Sequence, residues 1–139
     1  MLEGTTFGRT MELLQRGMGV TTLRYGVIAN NIANADVPNF KRSEVNFESF
    51  LKRALDQEDR RPVLEMATSD ERHIPGYTPT DWRSIQPRRV LDYLSTAKNN
   101  GNNVDPEQEF MDALENQLRY TMMTQATAFE FNQVNLVLK

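Results

Sequence analysis

The sequence predicts a mainly α fold. Two long terminal helices pair as an antiparallel coiled coil, with a short helix and a largely irregular segment between them. Three observations carry this expectation. Phe7, Met11, Leu14, Met18, Thr21, Tyr25, Ile28 and Ile32 repeat at four-three spacing, the seam of a coiled coil. A second long helical stretch runs from Pro106 to about Leu138. The chain between them is polar and rich in turn residues. At 139 residues the whole chain suits one domain, divided into a helix (6–33), a turn, short helix and irregular loop (34–104), and a closing helix (105–139). The hydrophobic fraction of 39% is low for a compact globule. A seam between two helices is a small core, so the remaining apolar surface points to assembly rather than catalysis.

The first helix is expected from about Thr6 to Ala33, roughly 42 Å at 1.5 Å per residue. Gly17, Gly19 and Gly26 lie inside it, and each costs roughly 1 kcal/mol relative to alanine. A helix carrying three such residues is held by partners, and the missing side chains let a neighbouring backbone come close. Asn34 suits a left-handed C-terminal position. Pro38 forces Val37 into an extended conformation and ends the helix. Pro38-Asn39 suits the centre of a β-turn. Asn46 then reads as the N-cap of a short helix whose apolar face is Phe47, Phe50, Leu51, Ala54 and Leu55.

Asp56 to Arg61 reads as a mixed-charge loop. From Pro62 to Pro87 four prolines predict extended or disordered chain. Arg88 to Ser95 fits a short strand or a helical turn. Asn99 to Asn103 is a turn cluster. The last helix has a clear start: Asp105 as N-cap, Pro106 at N1, Glu107 and Glu109 favouring the helix dipole, and Gln108 placed to complete a capping box. Two apolar stripes run along it on nearly opposite sides. One holds Phe110, Leu114, Leu118, Met122 and Phe129; the other holds Tyr120, Met123, Phe131, Val134 and Leu138. One helix cannot cover both. The Leu118 stripe is expected on the first helix and the Phe131 stripe against another subunit.

The net charge of −3 gives no nucleic-acid footprint, and the doublets Arg60-Arg61 and Arg88-Arg89 read as solvated loop charges. With no cysteine, disulfides, thiolate metal sites and cysteine nucleophiles drop out. No apolar run approaches the ~20 residues of a membrane span, and the N-terminus lacks the pattern of a cleaved secretory signal. His73, the only histidine, sits near Asp70 and Glu71 in what reads as a polar loop rather than a metal or catalytic site. Glu58-Asp59 and Glu107/Glu109 read as solvated or dipole charges. No phosphate loop or nucleophile elbow is present, so neither an enzyme nor a cofactor is expected. Trp82 is either a small satellite core or a contact anchor. The seven methionines suit adaptable packing, within the core or at several interfaces.

Asn30, Asn31 and Asn34 fall within five residues beside the seam, where buried asparagine fixes register at a cost in stability. Asn116, Gln117, Gln125, Asn132 and Asn135 on the last helix could supply matching amides. The run Ala29-Asn30-Asn31-Ile32-Ala33-Asn34-Ala35-Asp36-Val37-Pro38-Asn39-Phe40-Lys41 resembles the N-terminal signature of the bacterial flagellar rod and hook proteins, approximately A-x-N-I-A-N-A-x-T-P-x-Y-K. Val37 stands for the usual threonine and Phe40 for the usual tyrosine. Gly101-Asn102-Asn103-Val104-Asp105-Pro106-Glu107-Gln108-Glu109 resembles the family's G-N-x-V-D-x-x-x-E lead-in to the C-terminal helix. Asn116-Gln117-Leu118-Arg119-Tyr120 resembles the N-x-L-x-Y element of one proximal-rod member in particular, with its paralogue FlgC as the near alternative.

The resemblance spans nearly the whole chain. It implies a non-enzymatic subunit of the flagellar basal body, exported through the flagellar type III apparatus without signal cleavage. It further implies polymerisation through the terminal helices into the proximal rod, the drive shaft between membrane ring and hook. The implied partners are further copies of the chain, other axial rod proteins of the FlgC and FlgF type, the adaptor FliE, the membrane-ring protein and the export apparatus. The residues singled out for assembly are Leu14, Met18, Tyr25, Ile28, Asn31, Ile32, Asn34, Pro38, Phe40, Asn116, Leu118, Tyr120, Phe131 and Val134. A reading from a different class is a soluble helical adaptor or chaperone that binds a partner helix in a groove.

Overall fold

The computed structural model describes residues 5–58, 69–70, 72, 80–95 and 99–138. Expectations for residues 1–4, Arg60-Arg61, His73 and most of the proline-rich stretch lie outside these. The elements in order are α1 (Thr6–Ala33), β1 (Ser43–Asn46), α2 (Glu48–Glu58), a 3₁₀ turn (Trp82–Ser84), β2 (Arg88–Leu91) and α3 (Pro106–Val137). Two compact units form: Met1–Val45 with Arg89–Lys139, and Asn46–Arg88. The strands pair in a two-stranded sheet, which settles the open reading of residues 88–95 in favour of a strand.

In the first unit α1 and α3 pack together. Asn31 faces Glu109, Thr21 faces Asn116, Gly17 faces Met123 and Phe7 faces Phe131. Partner numbers rise on α3 as they fall on α1, so the pair is antiparallel. Thr5 caps α1, its hydroxyl oxygen accepting the Gly8 N–H at 3.1 Å. A Cβ on Gly17 would lie 2.7 Å from the Met123 sulfur, so this glycine lets the thioether into the seam. The buried positions on α1 are Val20, Thr21, Val27, Ile28 and Asn31. That face is rotated from the heptad seam, and Tyr25, expected inside it, is 57% exposed. The cause is a third component on the Val27 side: the chain around β1 packs there, with Arg24 Nη2 donating to the Val45 carbonyl at 3.3 Å.

The exit from α1 differs in one detail from the expectation. Asn34 adopts φ −108° and ψ 15°, not the left-handed conformation. Its own Nδ2 donates back to the Asn30 carbonyl at 2.7 Å, so the last turn is closed without a positive φ. The left-handed residue is Asn39, at φ 60°. Together with Pro38 it forms the centre of a turn closed by Phe40 N–H donating to the Val37 carbonyl at 3.3 Å. At the other end of the unit Asp105 caps α3, accepting the Glu107 N–H at 3.0 Å. Gln108 does not close a capping box; its Nε2 donates instead to Asp112 at 2.8 Å, one turn ahead.

In the second unit Phe47, Ala54 and Trp82 are buried. α2 begins at Glu48, two residues after Asn46, whose Oδ1 accepts from the Ser49 hydroxyl at 2.7 Å rather than from a helix N–H. Asp81 caps the 3₁₀ turn by accepting the Arg83 N–H at 2.9 Å. Trp82 is thus a satellite core residue, with the Arg83 guanidinium 4.5 Å from its ring centre.

Candidate functional site

The end of α1 and the start of α3 are joined by buried polar side chains. Asn31 is fully buried and pairs with the backbone of Ser43 as a strand would: its Oδ1 accepts the Ser43 N–H at 3.1 Å, and its Nδ2 donates to the Ser43 carbonyl at 2.8 Å. The same Nδ2 donates to Glu109 Oε2 at 3.1 Å. Glu109 is itself fully buried, and its other oxygen accepts from Arg42 Nε. Arg42 also holds Glu44, and its Nη2 donates to Asp112 at 2.8 Å. The expectation that Glu109 is a solvated dipole charge is therefore corrected. A buried carboxylate is tolerable here because guanidinium and carboxamide donors replace its water.

A second set ties residues 99–104 to the end of α1. Asn102 is fully buried; its Nδ2 donates to the carbonyls of Asn34 (3.0 Å), Ala35 (3.0 Å) and Val37 (2.8 Å). Its Oδ1 accepts the Val104 N–H at 2.7 Å. Asn103 Oδ1 accepts the Arg42 N–H at 2.6 Å, and its Nδ2 donates to the Asp92 carbonyl at 2.8 Å. The ring closes through Asp92 N–H donating to the Arg42 carbonyl at 2.9 Å. Lys41 Nζ donates to the Gly101 carbonyl at 2.9 Å, and Asn39 N–H to the Asn100 carbonyl at 3.1 Å. Gly101 has φ 80°, which strains any side chain there, and a Cβ would lie 2.6 Å from Asn39 Oδ1 and displace it. The Ser95 hydroxyl, then the Leu94 and Ser95 N–H groups, hold the Asp92 carboxyl below the ordinary carboxylate range.

The amides that match the Asn30-Asn31-Asn34 cluster thus come from Asn102 and from backbone, not from the row proposed on the last helix. Of that row only Asn116 is buried, its Nδ2 donating to the Thr21 carbonyl at 2.9 Å. Asn116 also lines a cleft of about 190 Å³ with Arg24, Ile28, Arg42, Glu109 and Arg119, and its Oδ1 has no partner among the described residues. Sequence reasoning missed Arg42, Ser43, Asn102 and Asn103. The signal was present in Gly101-Asn102-Asn103-Val104, where two adjacent asparagines after a left-handed glycine are more than a turn requires.

Of the other residues expected at interfaces, Ile28 is buried. Leu14, Met18, Ile32, Asn34, Phe40 and Val134 are half-buried, and Pro38 is exposed. The two stripes of α3 fall opposite to expectation. Phe131 packs edge-on against Phe7, ring centres 6.0 Å apart, and Met123 enters at Gly17, so this stripe faces α1. Tyr120, from the same stripe, remains 44% exposed. The Leu118 stripe is exposed along its length. The reason is that α3 meets α1 through Glu109, Asn116 and Met123 at helical spacing, a seam more polar than the face it leaves outside. The arrangement carries a satisfied polar joint and an uncovered apolar face.

The family model described as flagella basal body rod protein matches residues 14–41, most of α1 and the turn that follows. The flagellar basal body rod protein FlgB of Borreliella burgdorferi (strain ATCC 35210 / DSM 4680 / CIP 102532 / B31) is 42% identical over 133 residues, covering 96% of this chain and 98% of that protein. FlgB of Bacillus subtilis (strain 168) is 34% identical over 133 residues, covering 95% of each. FlgB of Escherichia coli (strain K12) is 29% identical over 130 residues, covering 93% of this chain and 92% of that protein. These relatives favour FlgB over the paralogue FlgC. A chain that two such relatives match nearly end to end at more than 30% identity belongs to the FlgB family of flagellar basal body rod proteins and is a structural subunit of the rod.

Proposed function

We propose that this chain is a proximal-rod subunit that polymerises through its terminal helices into the drive shaft between membrane ring and distal rod. It leaves the cytoplasm through the flagellar export apparatus without signal cleavage. Its neighbours are further copies of itself, axial proteins of the FlgC and FlgF type, the adaptor FliE and the membrane-ring protein. The observation that carries this reading is the uncovered face of α3. Phe110, Leu114, Leu118, Met122 and Phe129 are all more than half exposed on a helix whose opposite side is already occupied by α1. Exposed large apolar side chains in a continuous row mark an interaction surface. The polar joint supports the reading from the other side, since it fixes the register of the two helices that present that row.

Leu118→Asp tests it. The side chain is 53% exposed in the subunit, so the variant folds; in a polymer the carboxylate would meet apolar surface and block assembly. A strain lacking the native copy is complemented with the variant. Export is verified, and basal bodies are imaged and motility is scored. Loss of rods with normal export is expected. Wild-type rods built from the variant would refute the reading.

A further inference from the structure

We propose that the uncovered face of α3 in one copy seats on the outward face of α1 in a second copy, a contact that rests on the assembly reading above. Phe110, Leu114, Leu118, Met122, Phe129 and Leu136 stand between 53% and 74% exposed. Their row covers roughly 39 Å of helix at 1.5 Å per residue. At about 200 Å² for a free large apolar side chain, it offers roughly 700 Å². One partner in a stable protein–protein interface contributes about 800 Å². The face thus supplies most of what one partner contributes to an interface with a second copy.

The occupant follows from α1. Gly19, Thr22, Gly26, Ala29 and Ala33 are exposed and recur at three-four spacing, on the side of α1 turned away from α3. Gly17 has an intrachain reason to lack a side chain, the Met123 sulfur. Gly19 and Gly26 have none among the described residues, where a Cβ built on either meets nothing within 4 Å. Both weaken the helix and gain no contact among those residues. A smooth groove of small residues gives large side chains of another helix a close seat. Each copy thus carries a row of knobs on α3 and a matching groove on α1. Because knob and groove are different surfaces, the contact is heterologous: every copy that fills one neighbour's groove leaves its own groove open. Such a contact propagates instead of stopping at a dimer.

The chain has no cysteine, so single cysteines report the contact without background. Strains making Gly26→Cys, Leu118→Cys, or both variants together are oxidised, and their basal bodies are separated without reductant. A disulfide-linked dimer is expected only where both variants are present. A dimer from Leu118→Cys alone would put α3 against α3 and overturn the proposal. Basal bodies that contain both variants but no dimer would also overturn it. Gly26→Ala and Gly26→Leu keep the test independent of the cysteines. Both should raise the thermal midpoint of the isolated subunit, while Leu alone fills the groove and reduces rods at least tenfold. Normal rods with Gly26→Leu would discard the α1 groove, and rods lost with Leu118→Asp in the same experiment would leave the assembly reading standing.

Discussion

Asn102 has the most to lose from a small change. Its carboxamide is fully buried and stands between three carbonyls at the end of α1 and the N–H of Val104. Asn102→Ala strands the Val104 N–H in a place with no solvent, since Val104 is itself fully buried, and withdraws the donor from Asn34, Ala35 and Val37. One orphaned buried donor costs about 1–3 kcal/mol, and with the under-satisfied carbonyls the total comes to about 3 kcal/mol. For a chain of this size that lowers the thermal midpoint by roughly 10 °C. Asn102→Asp sharpens the argument. It keeps the acceptor for Val104 and nearly the same shape, yet turns an anionic oxygen toward three carbonyl oxygens. Aspartate should therefore be the worse substitution although it is the nearer isostere. Urea unfolding of the isolated subunit, followed by circular dichroism at 222 nm, orders the three proteins. Aspartate as stable as asparagine would refute the account of the joint.

Three further expectations stand on separate contacts. Gly17→Leu should destabilise the helix pair by about 1–3 kcal/mol through overpacking against Met123, read as a lower urea midpoint. Phe131→Asp, unlike Leu118→Asp, should damage the subunit itself by removing the edge contact with Phe7, which a loss of helicity in the unassembled subunit would reveal. Asp92 has a lowered pKa in the folded chain, so its contribution is fully present above its unfolded pKa near 3.8 and is lost as pH falls through the folded value. An NMR titration of its carboxyl carbon should place the midpoint below 3.8, and Ser95→Ala should move it back up.

The helices were legible because their signals are local. Asp105-Pro106 announces the start of α3, and Pro38 after an asparagine-rich turn ends α1, whatever the rest of the chain does. Which stripe of α3 faces α1 was not legible, because apolar spacing marks both stripes alike. The actual seam contains Glu109 and Asn116, whose burial makes sense only once Arg42, Asn31 and the Thr21 carbonyl stand opposite. The rotation of α1 that exposes Tyr25 has the same origin, since it depends on β1 lying alongside. Trp82 left two readings open because burial of a tryptophan among prolines turns on α2 packing against it, which no local pattern encodes.

The turn that follows α1 is held by Asn102, between 65 and 68 residues further along the chain. A ribosome delivers residues 6–33 long before residue 102. Throughout that interval the carbonyls of Asn34, Ala35 and Val37 lack the Asn102 carboxamide, and Asn31 has no Glu109. The native turn after the first helix is thus fixed by chain that comes much later, not by the leading segment alone. The contacts that fix it are of high sequence separation, which form late and slowly. A subunit organised this way stays unlocked while it is still growing. Its committed form arrives only with its last third, so the chain's own length acts as a timer on folding.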